Sequence, residues 1–153
     1  MHFKNDKAIP LPIIRGIHQS WGYDKGDADF SVTELLQPPK VRALSIQHKD
    51  ELVQDYSNSI ASFIGTSVHK MLEDGNADDE NLITEMRINS SLVVDGKYYT
   101  ISGCVDLIDK NQNKIIDFKT TSAYAVLGDK IEWEQPLNIY AYLYALEFEK
   151  DEL

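Results

Sequence analysis

Glu85, Asp106, Asp117 and Lys119 are the residues of this chain whose types and spacing point to chemistry. Asp95-Gly96, set between two runs of alternating apolar residues, is a strong signal for a two-residue hairpin turn. Facing residues in such a hairpin have position numbers with a constant sum, here 191, so Glu85 faces Asp106. A second turn centred on Asn111-Gln112 gives a sum of 223, and Asp106 then faces Asp117. Three carboxylates from three strands would lie in one row, about 5 Å from neighbour to neighbour. Lys119, two residues from Asp117, shares that face. A bulge in the long strands would shift the first pairing, so Asp106 with Asp117 is the firmer pair. Like charges opposite one another destabilise a sheet. By themselves two such carboxylates read more often as a solvated acidic face. Lys119 beside it suggests a site for a hard divalent cation, which takes oxygen ligands from one or two carboxylates, water and phosphate. An ammonium there can orient a water nucleophile and stabilise developing phosphoryl charge.

Elements of regular structure must hold these residues. Ile60, Phe63, Ile64, Val68, Met71 and Leu72 recur at three- and four-residue spacing and predict a helix over 59–73, stopped by Gly75-Asn76. Strands are expected over 82–94, 97–108 and 114–120. Their other face carries Met86, Ile88, Leu92, Val94, Tyr99, Ile101, Val105, Leu107, Ile116 and Phe118, and should be the buried side. Pro136 suits a helix N1 position, and Leu137, Tyr140, Ala141, Tyr144 and Phe148 then form an apolar face. Upstream, Ser31-Val32-Thr33-Glu34 has capping-box spacing and predicts a short helix stopped by Pro38-Pro39. Residues 40–57 read as partly helical, and residues 1–30, broken by Pro10, Pro12, Gly16, Gly22 and Gly26, as an irregular arm.

Composition bounds the answer. At 153 residues, with 42% apolar and 26% charged, the chain is expected to form one domain, an arm over 1–57 and a core over 58–153. Its longest apolar runs are far short of the roughly 20 residues that span a bilayer. No apolar signal-peptide region follows Met1, so the cytoplasm is the expected compartment. The terminal Lys150-Asp151-Glu152-Leu153 spells a retention signal that has no meaning without a signal peptide, and the same applies to the acceptor triplet Asn89-Ser90-Ser91. The single cysteine, Cys104, excludes an internal disulfide, an iron–sulfur cluster and a Cys-rich zinc site. A net charge of −10 argues against a non-specific nucleic-acid coat protein, but not against an enzyme that gathers carboxylates around metal ions.

Gly103-Cys104-Val105-Asp106 followed by Asp117-Phe118-Lys119 resembles the Gly-x-x-Asp and Asp-x-Lys motifs of the PD-(D/E)XK nuclease superfamily, most closely its RecB-like branch with many phage exonucleases. Gly65-Thr66-Ser67-Val68-His69 is similar to the histidine-bearing helix of that branch. The resemblance implies an α/β, restriction-endonuclease-like core: helix, three-stranded antiparallel meander, helix, without the last core strand. It implies Mg²⁺ or Mn²⁺ held by Asp106, Asp117 and His69, with the Phe118 carbonyl completing the site. Lys119 would position the attacking water, and Glu85 would be an accessory ligand or base. The branch often carries Gln-x-x-x-Tyr at its second helix. Gln135 and Tyr140 stand one residue further apart here, so Tyr140 reads equally as a DNA contact and as a core aromatic.

The implied function is metal-dependent DNA hydrolysis leaving a 5′-phosphate, by an exonuclease in phage or bacterial recombination or repair. DNA is the expected partner. A recombination or repair protein and a homo-oligomer are compatible with it; a membrane is not. The rival readings are a non-catalytic nuclease-fold module that binds DNA or a protein, and an acidic interaction protein without a site. With the chain so acidic, DNA contacts must be local, with Lys40, Arg42, Lys49 and Lys119 as candidates, or come from another subunit.

Overall fold

The computed structural model describes residues 1–21, 25–128 and 130–148, so the Lys150–Leu153 signal lies outside the described residues. The chain divides into two compact units. One comprises Met1–Asp24 and Gln37–Lys70, the other Lys25–Leu36 and Met71–Leu153.

The first unit begins with β1 (His2–Lys4), followed by α1 (Leu11–Ser20). The irregular arm expected over 1–30 is thus corrected. Pro12 falls in the first turn of α1, where its missing N–H leaves no hydrogen bond unmade, so it starts the helix instead of breaking it. Ile13, Ile14 and Ile17 then recur at helical spacing, and Ile17 is fully buried. Further along the chain, within the same unit, come α3 (Pro39–Gln47) and β3 (Val53–Asp55). A 3₁₀ turn (Tyr56–Ser59) leads into α4 (Ile60–Asn76). β3 pairs with β1 in parallel. The Asp55 carboxylate ties this unit together: it accepts from the Ser57 hydroxyl at 2.5 Å, the Ser57 N–H at 2.9 Å and the Asp6 N–H at 2.8 Å. These bonds, led by the Ser57 hydroxyl, hold its pKa down at about 2.

The second unit begins with β2 (Phe30–Ser31) and α2 (Val32–Leu36). The capping box forms as the spacing predicts. Ser31 Oγ accepts from the Glu34 N–H at 3.1 Å, and Glu34 Oε2 accepts from the Ser31 N–H at 2.8 Å. From Met71 the last turns of α4 belong to this unit. The helix runs through Gly75 and ends at Asn76, whose side-chain amide donates to the Leu72 carbonyl at 2.7 Å.

β4 (Leu82–Val94) and β5 (Lys97–Asp109) form the long hairpin. Asp95 and Gly96, with φ of 50° and 75°, make its left-handed turn. Every recorded pair along it, from Val94↔Lys97 to Leu82↔Asp109, keeps the sum of 191. β6 (Lys114–Ile116) pairs with β5 at the expected sum of 223. It is shorter than expected, because the next backbone donor, Phe118 N–H, turns to the Asp106 side chain instead of a strand carbonyl. β2 adds a parallel edge to β5 at Ile101 and Ser102, which the local pattern did not announce, so the sheet is mixed.

α5 (Ile131–Phe148) begins more than a turn before Pro136, where a start was expected. The proline inside the helix forfeits one backbone hydrogen bond, and the rest of the helix holds. Leu143 and Tyr144 of α5 join Val32, Ile88, Ile101, Val105 and Ile108 in the core. The predicted inner face is buried or half-buried except for Val94, at the hairpin tip, and Ile108, two residues from Asp106 on the other face of β5, is buried as well.

Candidate active site

Asp106 sits on β5, flanked in sequence by the buried Val105 and Leu107, and its side chain is half-buried on the opposite face. Its Oδ2 accepts the Phe118 N–H at 2.7 Å. That bond fixes the carboxylate and ends the β6 ladder, leaving Asp117 as the next position after the Leu107↔Ile116 pair. Asp117 Oδ2 lies 2.6 Å from Lys119 Nζ. The Asp117 side chain keeps 10% of its exposure against 39% for Lys119. The half-buried carboxylate thus anchors an ammonium that is more open to solvent.

Glu85 stands opposite Asp106 by register, between the Thr84↔Leu107 and Met86↔Val105 pairs. Its φ of 49° is left-handed, uncommon for a residue with a side chain. The strand pairs regularly on either side, so the distortion is confined to this residue and re-aims its side chain without a change of register. Glu85 and Asp106 each offer a carboxylate oxygen, and the two lie within 4.8 Å of each other. Two such charges repel by roughly 1 kcal/mol in bulk water, and by several times more where water is displaced. A cation between them removes that cost.

Cys104, which sequence reasoning treated only as an unpaired thiol, supports Glu85. Its Sγ donates to Glu85 Oε2 at 3.2 Å. Burial, followed by the Glu85 carboxylate, pushes the thiol's pKa up to about 12, so Cys104 remains a neutral donor. The hairpin sum held a signal for this: Cys104 faces Arg87, next but one to Glu85 on the same face.

Gly103 has a packing role. A Cβ there would lie 2.7 Å from Tyr140 Cε1 and 2.9 Å from Val32 Cγ2. The glycine lets α5 and α2 close onto β5, three residues before Asp106. Tyr140 is correspondingly half-buried and packs against the core. Gln135 is exposed near the start of α5. His69 is half-buried on α4, in the segment assigned to the first unit.

Comparison with known proteins places the family and the fold. The family model of the PD-(D/E)XK nuclease superfamily matches residues 67–152, more than half of the sequence, and the chain belongs to that superfamily. A crystal structure of the protein SSO0001 superposes with a TM-score of 0.67 at 22% identity, covering 92% of this chain and 70% of that one. The two share the fold, and the expected restriction-endonuclease-like α/β core is the one observed. No curated protein matches the sequence. Among the described residues no helix is long and apolar enough to cross a membrane.

Proposed function

We propose that this chain is a Mg²⁺- or Mn²⁺-dependent DNA nuclease of the RecB-like branch, an exonuclease acting in the cytoplasm in recombination or repair of phage or bacterial DNA. The observation that carries this reading is the Asp117–Lys119 ion pair, next in register to an Asp106 carboxylate held by the Phe118 N–H. A solvated acidic face has no need of a half-buried aspartate anchoring a lysine. Membership of a nuclease superfamily supports the same reading.

Glu85 and Asp106, whose carboxylate oxygens lie within 4.8 Å of each other, fit a divalent cation; on this reading His69, Asp117 and the Phe118 carbonyl are its further ligands. Such an ion, when bound, supplies positive charge to the phosphate and lowers the pKa of water. Lys119, held by Asp117, orients the attacking water and offsets charge developing on the phosphoryl oxygens. Glu85 is placed in the reading as accessory ligand or base, taking the water's proton. The water oxygen bonds to phosphorus as the in-line bond to the 3′ oxygen breaks. That oxygen takes up a proton, and the product keeps a 5′-phosphate. Gln135 and Tyr140 are the DNA contacts assigned to α5, and the Tyr140 ring also seats that helix on Gly103.

End-labelled single- and double-stranded DNA, incubated with Mg²⁺, Mn²⁺ or EDTA, tests the proposal. Cleavage with either metal and none in EDTA is expected. DNA binding without cleavage under every condition would replace it with the non-catalytic module.

A further inference from the structure

The first unit contains a group of aromatic side chains that the proposed chemistry does not use. Phe3 from β1, His18 from α1, Trp21 just after α1, and Tyr56 after β3 converge. Phe3 and Trp21 have ring centroids 4.6 Å apart, Phe3 and Tyr56 5.6 Å, and Trp21 and Tyr56 6.2 Å. The three planes are inclined to one another by only 31°, 20° and 11°. His18 stands edge-on to all three, at 71°, 72° and 68°, with its Nε2 2.8 Å from the Tyr56 hydroxyl. The set is a common orientation of three rings, held by a fourth.

The cluster is not sealed. Phe3 keeps 38% and Trp21 39% of its exposure. A small core built only to pin the N-terminus would enclose its largest rings. A further flat ring can join this near-parallel set without turning any of its members.

Charge identifies the occupant. The segments of this unit hold seven Lys and Arg against five Asp and Glu, together with all four histidines of the chain. The remaining segments hold eight against twenty. Arg15, one turn before His18 on α1, and Lys7, just after β1, are exposed and have no ion-pair partner among the described residues. Flat apolar rings beside unpaired cations suit a nucleobase and its phosphate.

We propose that the Phe3–His18–Trp21–Tyr56 cluster is a stacking platform for the bases of an unpaired DNA strand, with Arg15 and Lys7 meeting its phosphates. The proposal rests on the nuclease reading for its choice of DNA, but binding can be measured in EDTA, where no cleavage is expected.

In a Trp133→Phe background, Trp21 is the only tryptophan. Oligo-dT titrated in EDTA should quench its fluorescence saturably, and oligo-rU serves as the RNA arm. Trp21→Leu, which keeps an apolar filler but loses the stack, should weaken oligo-dT binding by roughly 5- to 150-fold, measured by anisotropy of the labelled strand. Trp21→Phe should retain most of it. Arg15→Gln should reduce the slope of log affinity against log salt by about 0.7. Melting temperatures close to wild type would show that the variants are folded.

Failure of oligo-dT to quench Trp21, or wild-type affinity in folded Trp21→Leu, overturns the platform. So does tighter binding of oligo-rU than oligo-dT, which makes the surface an RNA site, and so does self-association that disappears in Trp21→Leu without any response to oligo-dT, which makes it a protein interface. The two readings fail separately. Quenching without metal-dependent cleavage sinks the nuclease and keeps the platform; cleavage without quenching does the reverse.

Discussion

The two units of this chain divide opposite electrostatic tasks. The segments of the second carry a formal charge of −12 and those of the first +2. In the second, a sheet with a packed inner face carries Asp106 on β5, Glu85 between two recorded pairs of β4, and Asp117 just beyond the last pair of β6, and carboxylates on a stiff support suit a cation. In the first, short elements leave aromatic rings and lysines exposed, which suits an anion with flat bases. The net charge of −10 therefore describes neither task. A whole-chain charge is a sum over regions that selection shapes for different partners, and its sign says little about any one surface.

This contrast can be broken in order of effect. Asp117→Ala and Lys119→Ala should each cut metal-dependent cleavage by about 100- to 1000-fold. Asp117→Ala should keep oligo-dT binding in EDTA within a factor of about two of wild type, because the binding surface is assigned to the other unit. If both variants cleave at wild-type rates, the carboxylate row has no part in the chemistry.

The next effect is thermal. Saturating Mn²⁺, at about 100 times its dissociation constant, should stabilise the wild type by roughly 2.7 kcal/mol. For a domain of this size that is several degrees, at about 3 °C per kcal/mol. Asp106→Asn should melt at or above wild type in EDTA, since one repelling charge is gone, and should lose most of the Mn²⁺ shift. Equal shifts in the two proteins at fixed ionic strength would reduce the site to a screened acidic face.

Gly103→Ala tests the packing behind the site. Its methyl group would press on Tyr140 and Val32, so destabilisation of about 1–3 kcal/mol is expected, read from denaturant melts. Gly103→Ala with Tyr140→Leu should recover part of it. An unchanged midpoint in the single variant would mean that α5 is not seated as described.

The smallest effect belongs to the first unit. The Asp55 carboxyl has its pKa lowered to about 2, against an unfolded value of about 3.9. Its contribution to stability is therefore full above the unfolded value and is lost as the pH falls through about 4 towards 2. Asp55→Asn should flatten the acid limb of the stability profile in that window, followed by Tyr56 fluorescence or amide exchange in β1 and β3, with stability below wild type near pH 7 and converging on it towards pH 2. An acid limb identical to wild type would show that Asp55 is not the clasp between Asp6 and Ser57.

The sequence by itself determined the features whose information is local. Asp95-Gly96 specified a left-handed turn, and with it the pairing of every recorded position from Val94↔Lys97 to Leu82↔Asp109. Ser31 and Glu34 specified their reciprocal cap, since the two partners are three residues apart. Spacing and motif together marked Asp106, Asp117 and Lys119. What only the tertiary structure decided depends on groups distant in sequence. Nothing around Ile101 announces that Phe30 will pair with it in parallel. No local rule stops β6 at Ile116; that follows from an Asp106 oxygen competing for the Phe118 N–H. Gly103 reads as a motif letter until Tyr140, from α5, is seen to lie where a Cβ would be. Likewise Phe3, His18, Trp21 and Tyr56 lie on three separate stretches of chain, too far apart for any periodicity to join them. Turns and caps are encoded by neighbouring residues through dihedral preference and short-range hydrogen bonds. Competition for a donor, room for a ring and the meeting of distant side chains arise only once the chain has closed on itself.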